Sequence, residues 1–164
     1  MSGKRVSRKF TLLAGMLASS VLLASATQAA DRIVDRSPAA IATAQQAWVR
    51  RHGDYFKRTW GIDIAGVRWI SSGYMLEFRY RVLDPNKAKP LNDRSNRPYL
   101  KDLASGVTLS VPALEKVGEI RQSVPPKPNH IYFMVFGNPG KIVQPGNRVS
   151  IAVGKFHVDD LVVQ

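Results

Sequence analysis

The sequence predicts an all-β domain preceded by one helix: an antiparallel, immunoglobulin-like β-sandwich of six or seven strands, with a small β-barrel as the alternative. Three observations lead there. From Ile62 onward apolar residues recur with period two, Pro and Gly punctuate the chain at short intervals, and residues 131–136 form an unbroken apolar run. With 164 residues and 45% hydrophobic content the chain can bury one core, and it is too apolar to be a disordered polymer. It contains no cysteine, which excludes disulfide scaffolds, thiolate metal sites and thiol chemistry.

The first segment is read as an address rather than as structure. Lys4, Arg5, Arg8 and Lys9 precede an uncharged Leu- and Ala-rich run from Phe10 to Ala26, and small residues lead to Ala29 and Ala30. This is the pattern of a cleavable secretory signal peptide, and it divides the chain into a leader (1–29), a helical arm (30–60) and a sandwich domain (61–164). The run is interrupted by Ser19, Ser20 and Ser25 and is short for a membrane span, so the processed protein is expected in the periplasm or secreted, not integral to the membrane. Lys and Arg number 24 against 12 Asp and Glu. The leader holds four of those basic residues and no acid, so the processed chain stays strongly basic. Its field favours an acidic envelope protein or an anionic membrane or wall surface, and export argues against nucleic acid.

Ser37-Pro38 opens the arm as an N-cap followed by a proline that needs no N–H donor in the first helical turn. Ile41, Ala44 and Trp48 share a face, Arg50, Arg51 and His52 suit a helix C-terminus, and Gly53 is placed to end it. The spacing therefore predicts a helix from about Pro38 to His52. Tyr55, Phe56 and Trp60 follow as a docking turn, and the arm is expected to cover a sheet.

The next element pair can be counted residue by residue. Leu76, Phe78, Tyr80 and Val82 alternate with Glu77, Arg79 and Arg81. A turn at Ser72-Gly73 sets Trp69 opposite Leu76, Val67 opposite Phe78 and Arg68 opposite Glu77. One extra residue at Ala65-Gly66 then restores the inner parity, so that Ile64 faces Tyr80 and Ile62 faces Val82. Near the C-terminus, Gly154-Lys155 turns a second hairpin in which Val153 faces Phe156 and Ile151 faces Val158, with a kink at Asp159-Asp160. Residues 107–111 read as a short strand, residues 131–136 as a central strand covered on both faces, and Leu114 to Ile120 as a further short strand.

Two segments are read as loops. Asp84 to Asp102 is long and basic, and Lys87, Lys89, Arg94, Arg97, Tyr99 and Lys101 within it are the expected partner-binding residues, because guanidinium and ammonium groups recognise carboxylate or phosphate. Arg121 to Asn129 carries Pro125, Pro126 and Pro128 and reads as a stiff connector. No Gly-x-Ser-x-Gly, His-Glu-x-x-His, Ser-x-x-Lys or Gly-rich phosphate loop occurs, so no catalytic residue is assigned. His130, His157 and Asp159 are the residues suited to a copper or zinc ion, the alternative to a protein without cofactor. His157 is expected to point outward, between inward Phe156 and Val158, and His52 is accounted for by the helix terminus. Trp48 and Trp69 are expected to face the core, which weakens a carbohydrate-stacking reading. The expected function is that of an exported, non-enzymatic binding or accessory protein of the bacterial cell envelope. A periplasmic metal-binding protein is the alternative, and a hydrolase without a recognisable motif comes after it.

Overall fold

A computed structural model describes residues 35–164 apart from 115–117. The signal-peptide reading and the first residues of the arm therefore lie outside the described residues. The elements are α1 (Pro38–Trp60), β1 (Ile62–Ile70), β2 (Met75–Val82), α2 (Pro85–Asn92), β3 (Pro98–Asp102), β4 (Thr108–Ser110), β5 (Ala113–Leu114), β6 (Gly118–Glu119), β7 (Ile131–Gly137), β8 (Arg148–Val153) and β9 (Phe156–Val162). They form a three-stranded antiparallel sheet, β1-β2-β7, a four-stranded antiparallel sheet, β4-β3-β8-β9, and a small β5-β6 pair. The arrangement is sandwich-like, and the barrel alternative is set aside because the strands do not close. Backbone hydrogen bonds join the chain end after β9 to β1, at the edge of the first sheet. There Val163 bridges Val67 in parallel, Trp69 N–H donates to the Gln164 carbonyl (2.9 Å) and Gln164 N–H donates to Val67 (2.8 Å).

α1 begins as expected, with the Ser37 hydroxyl accepting from Ala40 N–H at 3.2 Å. It does not end at His52. The helix runs 23 residues, Gly53 is buried inside it, and Gly61 closes it in the left-handed conformation (φ 61°). Packing decides this. Trp48, Phe56 and Trp60 lie one above the other against the β9 side of the domain, Phe56 and Trp60 meeting Phe156 with ring centroids 5.9 and 5.3 Å apart. The burial gained by those rings outweighs the roughly 1 kcal/mol helix penalty of one interior glycine.

The first hairpin has the counted register throughout: Ile62 to Val82, Ile64 to Tyr80, Val67 to Phe78, Arg68 to Glu77 and Trp69 to Leu76, with the irregularity between Ile64 and Gly66. In the last hairpin Val153 faces Phe156 and Ile151 faces Val158. The kink is a bulge centred on Asp160 (φ 62°), after which Leu161 faces Val149. Phe78, Ile151 and Phe156 are fully buried, as are Leu76, Tyr80, Leu100 and Met134, whereas Trp69 is only partly buried and packs at the margin of the core. The outer side of Trp69 covers the turn: a Cβ on Gly73 would lie 2.8 Å from its ring.

Besides the end of α1, two expectations need correction. The segment from Asp84 to Asp102 is not a loop, because it holds α2 and β3. Asp84 caps α2 by accepting from Asn86 N–H (2.9 Å) and Pro85 takes the first turn, so the helix starts with the same Asx/Ser-Pro chemistry as α1. β3 alternates, with Pro98, Leu100 and Asp102 buried and Tyr99 and Lys101 outward, and its inward proline and aspartate hid the period from a count of apolar residues. The 131–136 strand is not central. β7 lies beyond β2 at the end of its sheet, and its far side is met by isolated bonds, Val135 N–H to Ile120 (3.0 Å) and Gln122 N–H to Phe133 (3.3 Å).

Candidate functional site

The six expected partner-binding residues fall into two groups. Lys87, Lys89, Arg94 and Arg97 lie on α2 and the turn that follows it, whereas Tyr99 and Lys101 stand on the outer face of β3, opposite Ser110 and Thr108 of β4 and Ala152 and Ser150 of β8. Within the first group the side chains have different tasks. Lys87 Nζ donates to the Arg58 carbonyl (2.8 Å) and ties α2 to the end of α1. Arg94 Nε donates to Ser123 Oγ (2.9 Å), which fastens the turn to the proline segment. Lys89 and Arg97 are exposed and make no ion pair among the described residues.

Lys89 lines two adjoining grooves. One, of about 340 Å³, lies between the end of α2 and the proline segment and includes Asn92, Arg94, Ser123 and Pro125. The other, of about 470 Å³, has Trp60 and Pro90 as apolar walls and brings Lys155, from the β8-β9 turn, to the same recess as Lys89. Arg97 belongs to this end of the sheet as well, since the next residue, Pro98, pairs with Val153. The carboxylate lining both grooves is Asp93, and it is already engaged. Ser95 N–H and Ser95 Oγ donate to it at 2.9 and 2.8 Å, and these bonds hold its pKa below the ordinary 3.8.

The framework behind this basic end is Arg121, which reading the segment as a proline connector left without a role. Its guanidinium is buried and forks onto two carbonyls, Nη1 to Asn96 (2.7 Å) and Nη2 to Asp93 (2.6 Å). Nε lies 3.0 Å from Glu119 Oε2, but its N–H is not directed at that oxygen, so Glu119 supplies charge rather than a hydrogen bond. Asn92 adds a second fastening by donating to the Gln122 and Val124 carbonyls at 3.3 and 3.1 Å. Lys155, Trp60 and Arg121 were not among the expected site residues. The Gly154-Lys155 turn was the available signal for the first, because a register that pairs residues 153 and 98 also sets Lys155 beside the 84–98 segment.

The expected metal set does not assemble. His157 Nε2 lies 2.8 Å from Asp159 Oδ1, and both side chains are exposed, in keeping with an outward His157. His130 instead stands before β7, with Nδ1 3.0 Å from the Pro128 carbonyl. Among the described residues there is no group of three or more His, Asp or Glu that could hold a metal ion. The His157-Asp159 pair borders a groove of about 490 Å³ with His52, Tyr55 and Asp160, and no Ser or Thr hydroxyl hydrogen-bonds a histidine among the described residues. No described helix is long and apolar enough to cross a membrane.

Comparison with protein-family models, with curated proteins and with solved structures finds no match to this chain.

Proposed function

We propose that this chain is an exported, non-enzymatic binding or accessory protein of the bacterial cell envelope, and that it meets an acidic partner at the end of the domain where α2 faces the β8-β9 turn. The observation that carries this reading is the recess walled by Trp60 and Pro90, which Lys89 and Lys155 both line and whose carboxylate, Asp93, is occupied by Ser95. Two ammonium groups beside an aromatic wall suit a carboxylate- or phosphate-bearing surface, with Arg97 extending the same field. The finer architecture proposed with it is an immunoglobulin-like sandwich, for which the division into sheets of three and four strands speaks.

The test measures retention of the protein on polyglutamate resin and on vesicles with and without anionic lipid. Retention on at least one anionic support is expected, falling steeply as salt is raised from about 50 to about 500 mM, because screening shortens the reach of exposed charges. The Lys89→Glu, Lys155→Glu double variant is expected to abolish it. Retention that ignores both salt and the double variant would remove the basic end as the contact surface. Mass analysis of the exported form is expected to find its first residue at Ala30 or Asp31, and an intact Met1 would contradict export by cleavage.

A further inference from the structure

Gln45 presents a problem that neither the fold nor the basic end solves. It is 4% exposed, and both its Nε2 and its Oε1 are buried without a hydrogen-bond partner. Such atoms are destabilising unless something satisfies them, and a leucine at this position of α1 would avoid the difficulty. The residue therefore calls for an account of what it binds.

Its surroundings form a site. Ala42, Gln45 and Val49, with Gln46 and Arg50 alongside, are spaced at three- and four-residue steps along one face of α1, and with Ala65 and Gln164 they line a groove of about 460 Å³. Next to Gln45 and Gln164 lies Gly66, at the bulge in β1, with φ +132°. A Cβ there would stand 3.2 Å from Gln45 Nε2 and 3.6 Å from Gln164 Nε2, so two side-chain amides converge over a residue that has no side chain. Arg50 is the charged residue of the groove and makes no ion pair among the described residues.

We propose that this groove binds the carboxyl-terminal residue of a peptide whose last side chain is small and apolar. A terminal residue offers a carboxylate and, one carbon away, an amide N–H. Gln45 supplies one donor face and one acceptor face whichever way its amide is turned, and so matches both groups. Arg50 takes the carboxylate as a guanidinium does, by paired N–H donors. Ala42, Val49 and Ala65 leave space beside them for a methyl-sized side chain. Gln164 is exposed, and binding requires its side chain to swing aside and uncover the buried Gln45 amide. The site is separate from the basic end, because Trp60 lies ten residues further along α1, about 15 Å at the helical rise.

The experiment titrates the protein with N-acetyl-Ala-Ala and with the same dipeptide carboxamidated at its C-terminus, followed by amide NMR. The free acid is expected to shift residues 42–50, 65–66 and 164. The carboxamide, Arg50→Gln and Gln45→Leu are each expected to weaken binding about tenfold or more, the scale of one lost charge-assisted contact. Gln45→Leu removes a buried amide without opening a cavity, so its melting temperature is expected to hold or rise, and loss of binding cannot be confused with loss of folding. Gln164→Ala is expected to bind at least as well as the parent. Equal affinity for acid and carboxamide, no binding of either, or a Gln45→Leu variant that binds like the parent would overturn the proposal and leave Gln45 as a polar atom pair satisfied by water. The Lys89→Glu, Lys155→Glu variant is expected to bind the dipeptide unchanged, which separates failure at this groove from failure of the acidic-partner reading.

Discussion

Tyr80 and Arg121 show how single side chains position the basic end. The Tyr80 hydroxyl, buried in the core, donates to Asn92 Oδ1 at 3.0 Å, and Asn92 in turn holds the carbonyls of Gln122 and Val124. Burial raises the Tyr80 pKa above the ordinary 10, and the neighbouring Tyr132 phenol adds to this, while the charge of Arg121 opposes it. A tyrosine that resists ionising when folded stabilises the protein below the unfolded value, and that stability is lost as pH rises above about 10. The urea midpoint is therefore expected to fall between about pH 10 and 12, and less steeply in Tyr80→Phe. Parallel slopes for the two proteins would mean that other groups govern alkaline unfolding. Arg121→Met strips the carbonyls of Asp93 and Asn96 of their buried donor and is expected to cost roughly 3 kcal/mol, read from chemical denaturation. Hydrogen exchange at residues 93–97 is expected to accelerate with it. Neither residue's role was legible in the sequence, because each depends on partners 12 or more positions away with no periodic relation to it.

Among the elements, α1 gives the sharpest comparison of two glycines. Gly53 was a plausible terminator from its place after a basic turn, yet the helix passes through it, and a Cβ there would meet only Val49 Cγ1 at 3.4 Å, an ordinary contact. Gly61 is the actual terminator, and a Cβ there would stand 2.7 Å from the Asp84 Cβ in a backbone conformation that suits glycine. Gly53→Ala is thus expected to stabilise the protein by about 0.5–1 kcal/mol and Gly61→Ala to destabilise it by at least about 1 kcal/mol. Thermal melts of the two variants check both signs, and the reverse order would place the helix end at residue 53. The hairpins were legible because a strand's parity and its turn are local: the turn together with one inserted residue at Ala65-Gly66 accounts for four inner pairs and the outer Arg68-Glu77 pair. α2 and β3 were missed although Asp84-Pro85 repeats the Ser37-Pro38 signature, since the charges and prolines of the segment outweighed a faint alternation.

Across the whole molecule, an aromatic contact chain joins the three layers. Trp48 stacks on Phe56 at 5.7 Å, Phe56 meets Phe156 of β9 at 5.9 Å, and Phe156 lies 6.4 Å from Phe78 of β2. Trp48 Nε1 also donates to the Asp159 carbonyl (2.8 Å), which fixes the helix on the bulge of β9. With its rings shared in this way, α1 is part of the core, and the far-UV helix signal and tryptophan fluorescence are expected to report one coincident unfolding transition. An earlier loss of the helix signal would instead make α1 a detachable cover. What the amino-acid order determined alone was a set of features fixed within a few residues, namely the parity of the two hairpins, their turns and bulges and the start of α1, together with a strongly basic net charge. What only the tertiary structure decided was which distant groups share a space, such as Lys155 with Lys89, Arg121 with the 93–96 turn, and Gln45 with Gly66 and Gln164. The reason is physical, since backbone sterics and side-chain alternation act between near neighbours. Convergence of remote side chains depends on how sheets and helix pack, and a one-dimensional pattern carries no record of that.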